Sequence, residues 1–265
     1  MKEIISSITQ DYLYRLIKDG KRIDGRDMLE HRDLDIQVGW IGPAEGSARV
    51  KLGDTEVIVG IKMDEGDPFP DTPDKGVIIT SAELIPMASP KYESGPPGED
   101  ATEVARVVDR GIREAGVVDT SKLCIVEGEK VWMIFIDIHV LNFDGNLIDA
   151  SGIGAMAALM DAVVPASEFQ DDAEDYDLPI EHIVIPTTFT KIKDTIMLDS
   201  GLEEEKIANA RLTVSTNEDG DIVAMQKGLS GTFEYEDTLK CVELSQEIGE
   251  SLRQKVIDIV EKGKV

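Results

Sequence analysis

The order of apolar and polar positions divides this chain into short strands, four helical segments and loops broken by proline, glycine or acid. Residues 3–18 place Ile4, Ile5, Ile8, Leu13, Leu16 and Ile17 on an uneven helical face, ended by Asp19-Gly20. From Leu34 to Met63 the period shortens to two: LDIQVGW, SARVKLG and TEVIVGIKM read as strands, the last two joined by a turn at Gly53-Asp54. An acidic, proline-broken loop (64–75) follows, then a strand, VIITSAELIPMA (77–88), and a second loop, SPKYESGPPGED. Residues 101–115, ATEVARVVDRGIREA, are amphipathic at helical period; Asp100 and Glu103 are spaced as a capping box, and Gly116 ends the run. VWMIFIDIHVLNF (131–143) is the strongest strand pattern in the chain. After a turn at Asp144-Gly145, the residues from about Ser151 to Val163 predict a helix stopped by Pro165. That helix is nearly all apolar and rich in Ala and Gly, which predicts burial between two layers.

The second half repeats a strands-then-helix order. Residues 168–177, EFQDDAEDYD, carry six acids and no base, as an exposed linker does. HIVIPTTFTKI and TIMLD read as strands, GLEEE as a loop, and ARLTVSTNEDGDIVAMQKG as a hairpin turned at Asp219-Gly220. A long helix begins at about Asp237, with Leu239, Val242, Ile248, Leu252, Val256 and Ile259 near helical spacing. The fold class predicted is α+β, with helices packed on mixed, mostly antiparallel sheets.

Composition narrows the function classes. No stretch approaches the roughly 20 apolar residues of a membrane span, and the mixed-charge start is unlike a secretory signal. Cys124 and Cys241 lie far apart, without a CxxC or a nearby His pair, and His31, His139 and His182 are scattered. These spacings speak against a zinc site or disulfide framework and for a reducing cytoplasm. The formal charge of -26 argues against a free-standing nucleic-acid binder, so any RNA contact has to rest on a local basic cluster.

One such cluster exists. On the 101–115 helix, Arg106, Arg110 and Arg113 fall within about 60° of one another, opposite the apolar half of the wheel. Three guanidiniums on one stripe can grip phosphates. Glu103, Asp109 and Glu114 are also spaced to pair with them, so a salt-laced surface is the competing reading. Elsewhere, Asp137 and His139 share one face of a strand, which fits a structural hydrogen bond better than a catalytic dyad. Asp199 with Glu203, Glu204 and Glu205 could hold Mg²⁺, although a solvated acidic loop explains them equally. No GxxxxGK[ST], GxSxG or HExxH motif is present.

Several ordered motifs carry a resemblance over residues 20–260. RIDGR, GSARVKLGDTEVIVGI, SGPPGEDATEVARVVDRGIRE and DGNLIDASGIGAMAAL together resemble RNase PH-type chains. Among these, the chain is most similar to the catalytically silent subunit type of the archaeal exosome. The resemblance implies an RNase PH-type fold (ribosomal protein S5 domain 2-like) with a smaller C-terminal αβ domain. The implied division is an N-terminal helix and connector (1–30), domain 1 (31–166), an acidic linker with the start of the second half (167–187), and domain 2 (188–262). It also implies a hexameric ring, a trimer of heterodimers with a catalytic RNase PH-like partner, acting on single-stranded RNA beneath RNA-binding cap proteins, with no cofactor.

Active members of the family degrade RNA from its 3′ end with phosphate, which a Thr-Arg pair holds in a turn reading approximately DGGTRTAS. Here the turn reads DGNLIDAS, so Asn146, Leu147, Ile148 and Asp149 form a degenerate phosphate site with Ile148 in place of the arginine. Isoleucine donates no hydrogen bond, and a carboxylate at 149 is expected to repel phosphate. Two family acids align approximately with Asp199 and Glu205. By the same resemblance, Arg106 and Arg110, with Arg113 beyond them, are expected to hold RNA backbone beside the partner's active site. The alternatives are a self-sufficient phosphorolytic exoribonuclease and, from another class, an acidic metal-binding metabolic enzyme.

Overall fold

The computed structural model describes residues 6–169 and 173–263. The first helix is Ser7–Lys18 (α1), so Ile4 and Ile5 of the predicted apolar face lie outside the described residues. Leu34–Val38 (β1), Gly46–Leu52 (β2) and Thr55–Gly66 (β3) form an antiparallel meander. It is extended by Val77–Leu84 (β4), Cys124–Val126 (β5) and Lys130–Asn142 (β6) into a sheet of order β1-β2-β3-β6-β4, with β5 also paired to β6. Every pairing is antiparallel except β4 with β6, whose connection runs through the helix Glu99–Glu114 (α2).

Alternation sets the faces of this sheet. Val50, Val57, Val59, Ile136 and Ile138 are fully buried on one side, while Lys62, Asp137 and His139 project from the other. On the buried face lies Leu147–Asp161 (α3), thirteen of whose residues are buried, so the helix has no solvent side. A Cβ at Gly154 would stand 2.9 Å from Val59 Cγ2, and one at Gly152 would stand 2.5 Å from Pro186 Cγ. These two glycines let α3 approach a layer on each side.

The second layer is a four-stranded antiparallel sheet. After the short pieces Val163–Val164 (β7), Ala166–Phe169 (α4) and Tyr176–Asp177 (β8), it comprises Ile185–Ile192 (β9), Thr195–Leu198 (β10), Ala210–Thr216 (β11) and Ile222–Gly228 (β12), in the order β10-β9-β11-β12. Leu202–Ile207 (α5) joins β10 to β11, and Tyr235–Gly263 (α6) closes the chain. Leu13 and Ile17 of α1 pack with Ile192, Met197 and Ile207 of this second unit. Helix α6 ties both units together: Cys241 packs on the second sheet, while Leu252, Val256 and Val260 join the main core. The architecture is therefore α+β, with mixed and antiparallel sheets flanked by helices and a smaller C-terminal αβ unit.

Three predicted features differ. Helix α3 starts at Leu147 rather than Ser151, because Asn146 takes a left-handed backbone (φ 50°) and caps it four residues early. Helix α2 starts at Glu99 behind Gly98 with no side-chain cap, and the expected capping box is absent because Glu103 faces Arg211 instead. The GLEEE segment is the helix α5, not a loop.

Candidate functional site

The turn 144–146 delivers the chain from β6 into α3 and sets the local chemistry. Gly145 (φ 88°) and Asn146 both have left-handed backbone, and a Cβ at 145 would collide with the Ser200–Leu202 backbone. Asn146 is buried and meets three carboxylates. Its backbone N–H donates to Glu205 Oε1 (2.7 Å), and its Nδ2 donates to Asp149 Oδ2 (2.8 Å) and to Asp199 Oδ1 (2.7 Å).

Asn146, Leu147 and Ile148 line a cavity of about 220 Å³ with Lys91, Tyr92, Phe143, Glu205 and Arg211. Asp149 is not among its walls. As the third residue of α3 it is fully buried and turned toward β9, accepting from Thr188 N (3.0 Å) and Thr188 Oγ1 (2.6 Å). The expectation that its carboxylate stands in the phosphate position is therefore corrected. The earlier helix start rotates residue 149 inward, where it ties the two layers together.

Other carboxylates occupy the cavity instead. Lys91 Nζ lies 3.1 Å from Asp100 Oδ2 and 4.3 Å from the Phe143 ring centre. Arg211 Nη2 donates to Glu103 Oε1 (2.5 Å). Burial pushes the Glu205 carboxyl above its ordinary range, only partly countered by the Asn146 N–H and nearby cations. Both cations and one amide at the mouth of α3 thus already face acids. The helix end that could receive an anion presents leucine and isoleucine side chains.

The RIDGR connector does more than turn. Arg22, 3% exposed, forms a two-point pair with Glu204 (Nε to Oε1 3.0 Å, Nη2 to Oε2 2.6 Å) and donates to the carbonyls of Leu198 and Asp199. Asp199 accepts from Arg32 N, Nε and Nη2 (2.8, 3.0 and 2.8 Å) and from Arg26 Nη1 (3.3 Å). Burial pushes its carboxyl up, but the Arg32 hydrogen bonds and charge outweigh this and hold it well below the usual carboxylate range. His31 sits between the two buried acids, its ring nitrogens 3.8 Å from Asp149 and 3.6 Å from Asp199. Pattern reading of the connector misses this clamp. The available signal was three arginines and a histidine within residues 22–32 of a chain with few of either.

The acids considered for a metal do not converge. Glu203 pairs with Lys206, Glu204 with Arg22, and Asp199 with Arg32, while Glu205 receives the Asn146 N–H. Among the described residues, no group of three or more His, Cys, Asp or Glu is placed to hold a metal ion. Asp137 and His139 share the outer sheet face as predicted, but neither is deeply buried. Asp137 accepts from Ser81 Oγ (2.7 Å) and His139 faces Glu83 (3.4 Å).

The three α2 arginines are all exposed on one side of the helix but are not equivalent. Arg113 is held by Asp109 (3.0 Å) and by the Ile78 carbonyl (3.0 Å). Arg110 Nη2 donates to the neutral Gln226 Oε1 (2.5 Å) on β12. Arg106 has no ion pair or hydrogen bond among the described residues.

The order of folds and motifs matches known models. Domain 1 of the 3′ exoribonuclease family, RNase PH, matches residues 30–165, and domain 2 matches residues 182–248. The chain belongs to the RNase PH family. It is 49% identical to exosome complex component Rrp42 of Thermococcus kodakarensis, over 97% of each chain. The Methanocella arvoryzae protein of the same name is 51% identical, over 96% of this chain and 98% of that one. Among solved structures, the chain resembles one of the Archaeoglobus fulgidus exosome with RNA bound to the active site, with a TM-score of 0.91 and 48% identity. That match covers 94% of this chain and 97% of the other. A rice Rrp46 structure, with a TM-score of 0.67 and 19% identity over 91% of this chain and 98% of that one, shares the fold. No helix among the described residues is long and apolar enough to cross a membrane.

Proposed function

We propose that this chain is a non-catalytic subunit of an archaeal exosome. It builds a hexameric ring, as a trimer of heterodimers, with a catalytic RNase PH-like partner, and holds single-stranded RNA for that partner's 3′-to-5′ phosphorolysis. RNA-binding cap proteins complete the assembly, which works in the cytoplasm. The chain divides functionally near residues 31–166 and 188–262, with the 167–187 segment between. The names and titles of the similar proteins support the assembly, and the α2 arginines support the RNA contact.

The observation that carries the silent role is the α3 N-terminus. Leu147 and Ile148 form the cavity wall there, and Glu205 takes the Asn146 N–H. Asp100 and Glu103 occupy the neighbouring cations. A phosphate dianion entering this cavity meets no arginine from the turn, and the two cations that line it, Lys91 and Arg211, are already paired with Asp100 and Glu103. The surviving acid, Asp199, is likewise committed to Arg32 and Arg26.

The test is to incubate the isolated chain with single-stranded RNA and phosphate and to measure nucleoside diphosphates, with solution mass determined alone and with the catalytic relative. Release is expected only from the mixed complex. Robust release by the partner-free chain overturns the reading.

A further inference from the structure

Of the three arginines on the α2 stripe, Arg110 is held by a neutral side chain on another element, whereas Arg113 also meets the acid Asp109. Gln226 sits on the edge strand β12, opposite Thr213 of β11, and its Oε1 accepts from Arg110 Nη2. Three acids of α2 pair elsewhere: Asp100 with Lys91, Glu103 with Arg211, and Asp109 with Arg113 and Thr80. An arginine paired with a carboxylate has its charge cancelled and its fork occupied. An arginine paired with an amide keeps its full charge and most of its N–H groups, yet loses rotamer freedom before any ligand arrives. Ordering a long side chain in advance lowers the cost of the contact it later makes. The amide brings its own NH₂ to the same place, where it makes only a long bond to the Lys227 carbonyl (3.5 Å) among the described residues.

We propose that Gln226 is a positioning residue for RNA: it presets the Arg110 guanidinium and offers its amide to the same backbone phosphate, so that α2 and β12 grip the strand together. This rests on the reading of the α2 arginines as RNA contacts. The contact carries no base information, because it addresses phosphate alone. It also gives the C-terminal unit a part in RNA capture, which the arginine stripe by itself assigns to α2.

The test uses the reconstituted complex with the catalytic relative in phosphate-free buffer. Binding of a short fluorescent oligoadenylate is followed by anisotropy across a salt series. Arg110→Ala should weaken binding and reduce the slope of log K against log salt by about 0.7, the single-strand value for one phosphate contact. Gln226→Glu, which pairs the guanidinium with a charge, should reduce the slope by a similar amount. Gln226→Ala should weaken binding by about two- to tenfold, the range for one immobilised side chain, with the slope unchanged. The double variant Gln226→Ala/Arg110→Ala should lose less affinity than the two single losses summed, because the presetting part has no guanidinium left to act on.

If Arg110→Ala weakens binding while both Gln226 variants behave as wild type, this proposal fails and the RNA reading stands. Additive losses in the double variant, or a fall in unfolding midpoint without a change in affinity, also overturn the positioning role. If Arg106→Ala and Arg110→Ala both bind normally, the proposal and the RNA reading fall together.

Discussion

Replacing Asp199 with asparagine tests the clamp that joins the RIDGR connector to both units. Five N–H groups converge on this carboxylate: three from Arg32, one from Arg26 and one from Asn146. The carboxylate is wholly buried, and its Arg32 partner is 9% exposed, so solvent screens the pair little. Asparagine keeps the shape but removes the charge and turns an NH₂ group toward donors. Removing one partner of a buried pair costs about 3–5 kcal/mol, because the other charge is left uncompensated. For a chain of this size that corresponds to roughly 6–20 °C in Tm. Urea unfolding followed through the buried Trp132 measures the loss directly. A loss below about 1 kcal/mol, the range of an exposed surface pair, would refute the reasoning.

Two further readouts separate the pair from simple packing. In a cycle with Arg32→Gln, the coupling should reach about 0.5–3 kcal/mol rather than zero. The pH dependence follows from the direction of the shift. The Asp199 carboxyl is held below its unfolded value, so its stabilisation is fully present above the usual carboxylate range near pH 4 and is lost as pH falls further. The gap between wild type and Asp199→Asn should therefore shrink on acidification below about pH 4. A gap that widens there contradicts the assigned sign.

Gly154→Ala should destabilise by about 1–3 kcal/mol through its contact with Val59, although glycine-to-alanine in an open helix gains about 1 kcal/mol; thermal unfolding decides the sign. Burial raises the Glu205 carboxyl, so its favoured neutral form contributes below the usual range and that contribution is lost as pH rises. Glu205→Gln, which can still accept from Asn146 N–H, should raise the urea midpoint at pH 7 and leave phosphorolysis by the assembled complex unchanged. A lower midpoint or a lost rate counts against the assignment. Replacing Arg106 and Arg110 with Glu should preserve ring size on gel filtration while weakening RNA capture and flattening its salt dependence. Unchanged affinity and slope would make the stripe an ordinary surface.

Local order along the chain already contained the strands, the hairpin turns at Gly53-Asp54 and Asp219-Gly220, and the burial of the 151–163 region. Each follows from a period of two or of 3.6, or from glycine's freedom at a turn, and such signals need only neighbouring residues. The arginine stripe was legible for the same reason, since three positions on one helix fix their own relative angles. The DGNLIDAS turn was legible as a turn leading into a helix, and the proposed loss of a phosphate arginine rests on reading it beside related motifs.

Tertiary structure alone decided which charges meet. Asp149 turns into β9 because Asn146 caps α3 early, and a left-handed asparagine has no periodic signature. Arg22 and Arg32 reach Glu204 and Asp199 across more than 160 residues, and the GLEEE segment becomes a helix partly to present that glutamate. Long polar side chains are placed by the packing of the layers beneath them, not by their own spacing, so no local pattern distinguishes Arg32 from a solvated arginine. The pairing of Arg113 with Asp109 follows from spacing on one helix, but the amide that holds Arg110 has the same tertiary origin, because Gln226 comes from β12.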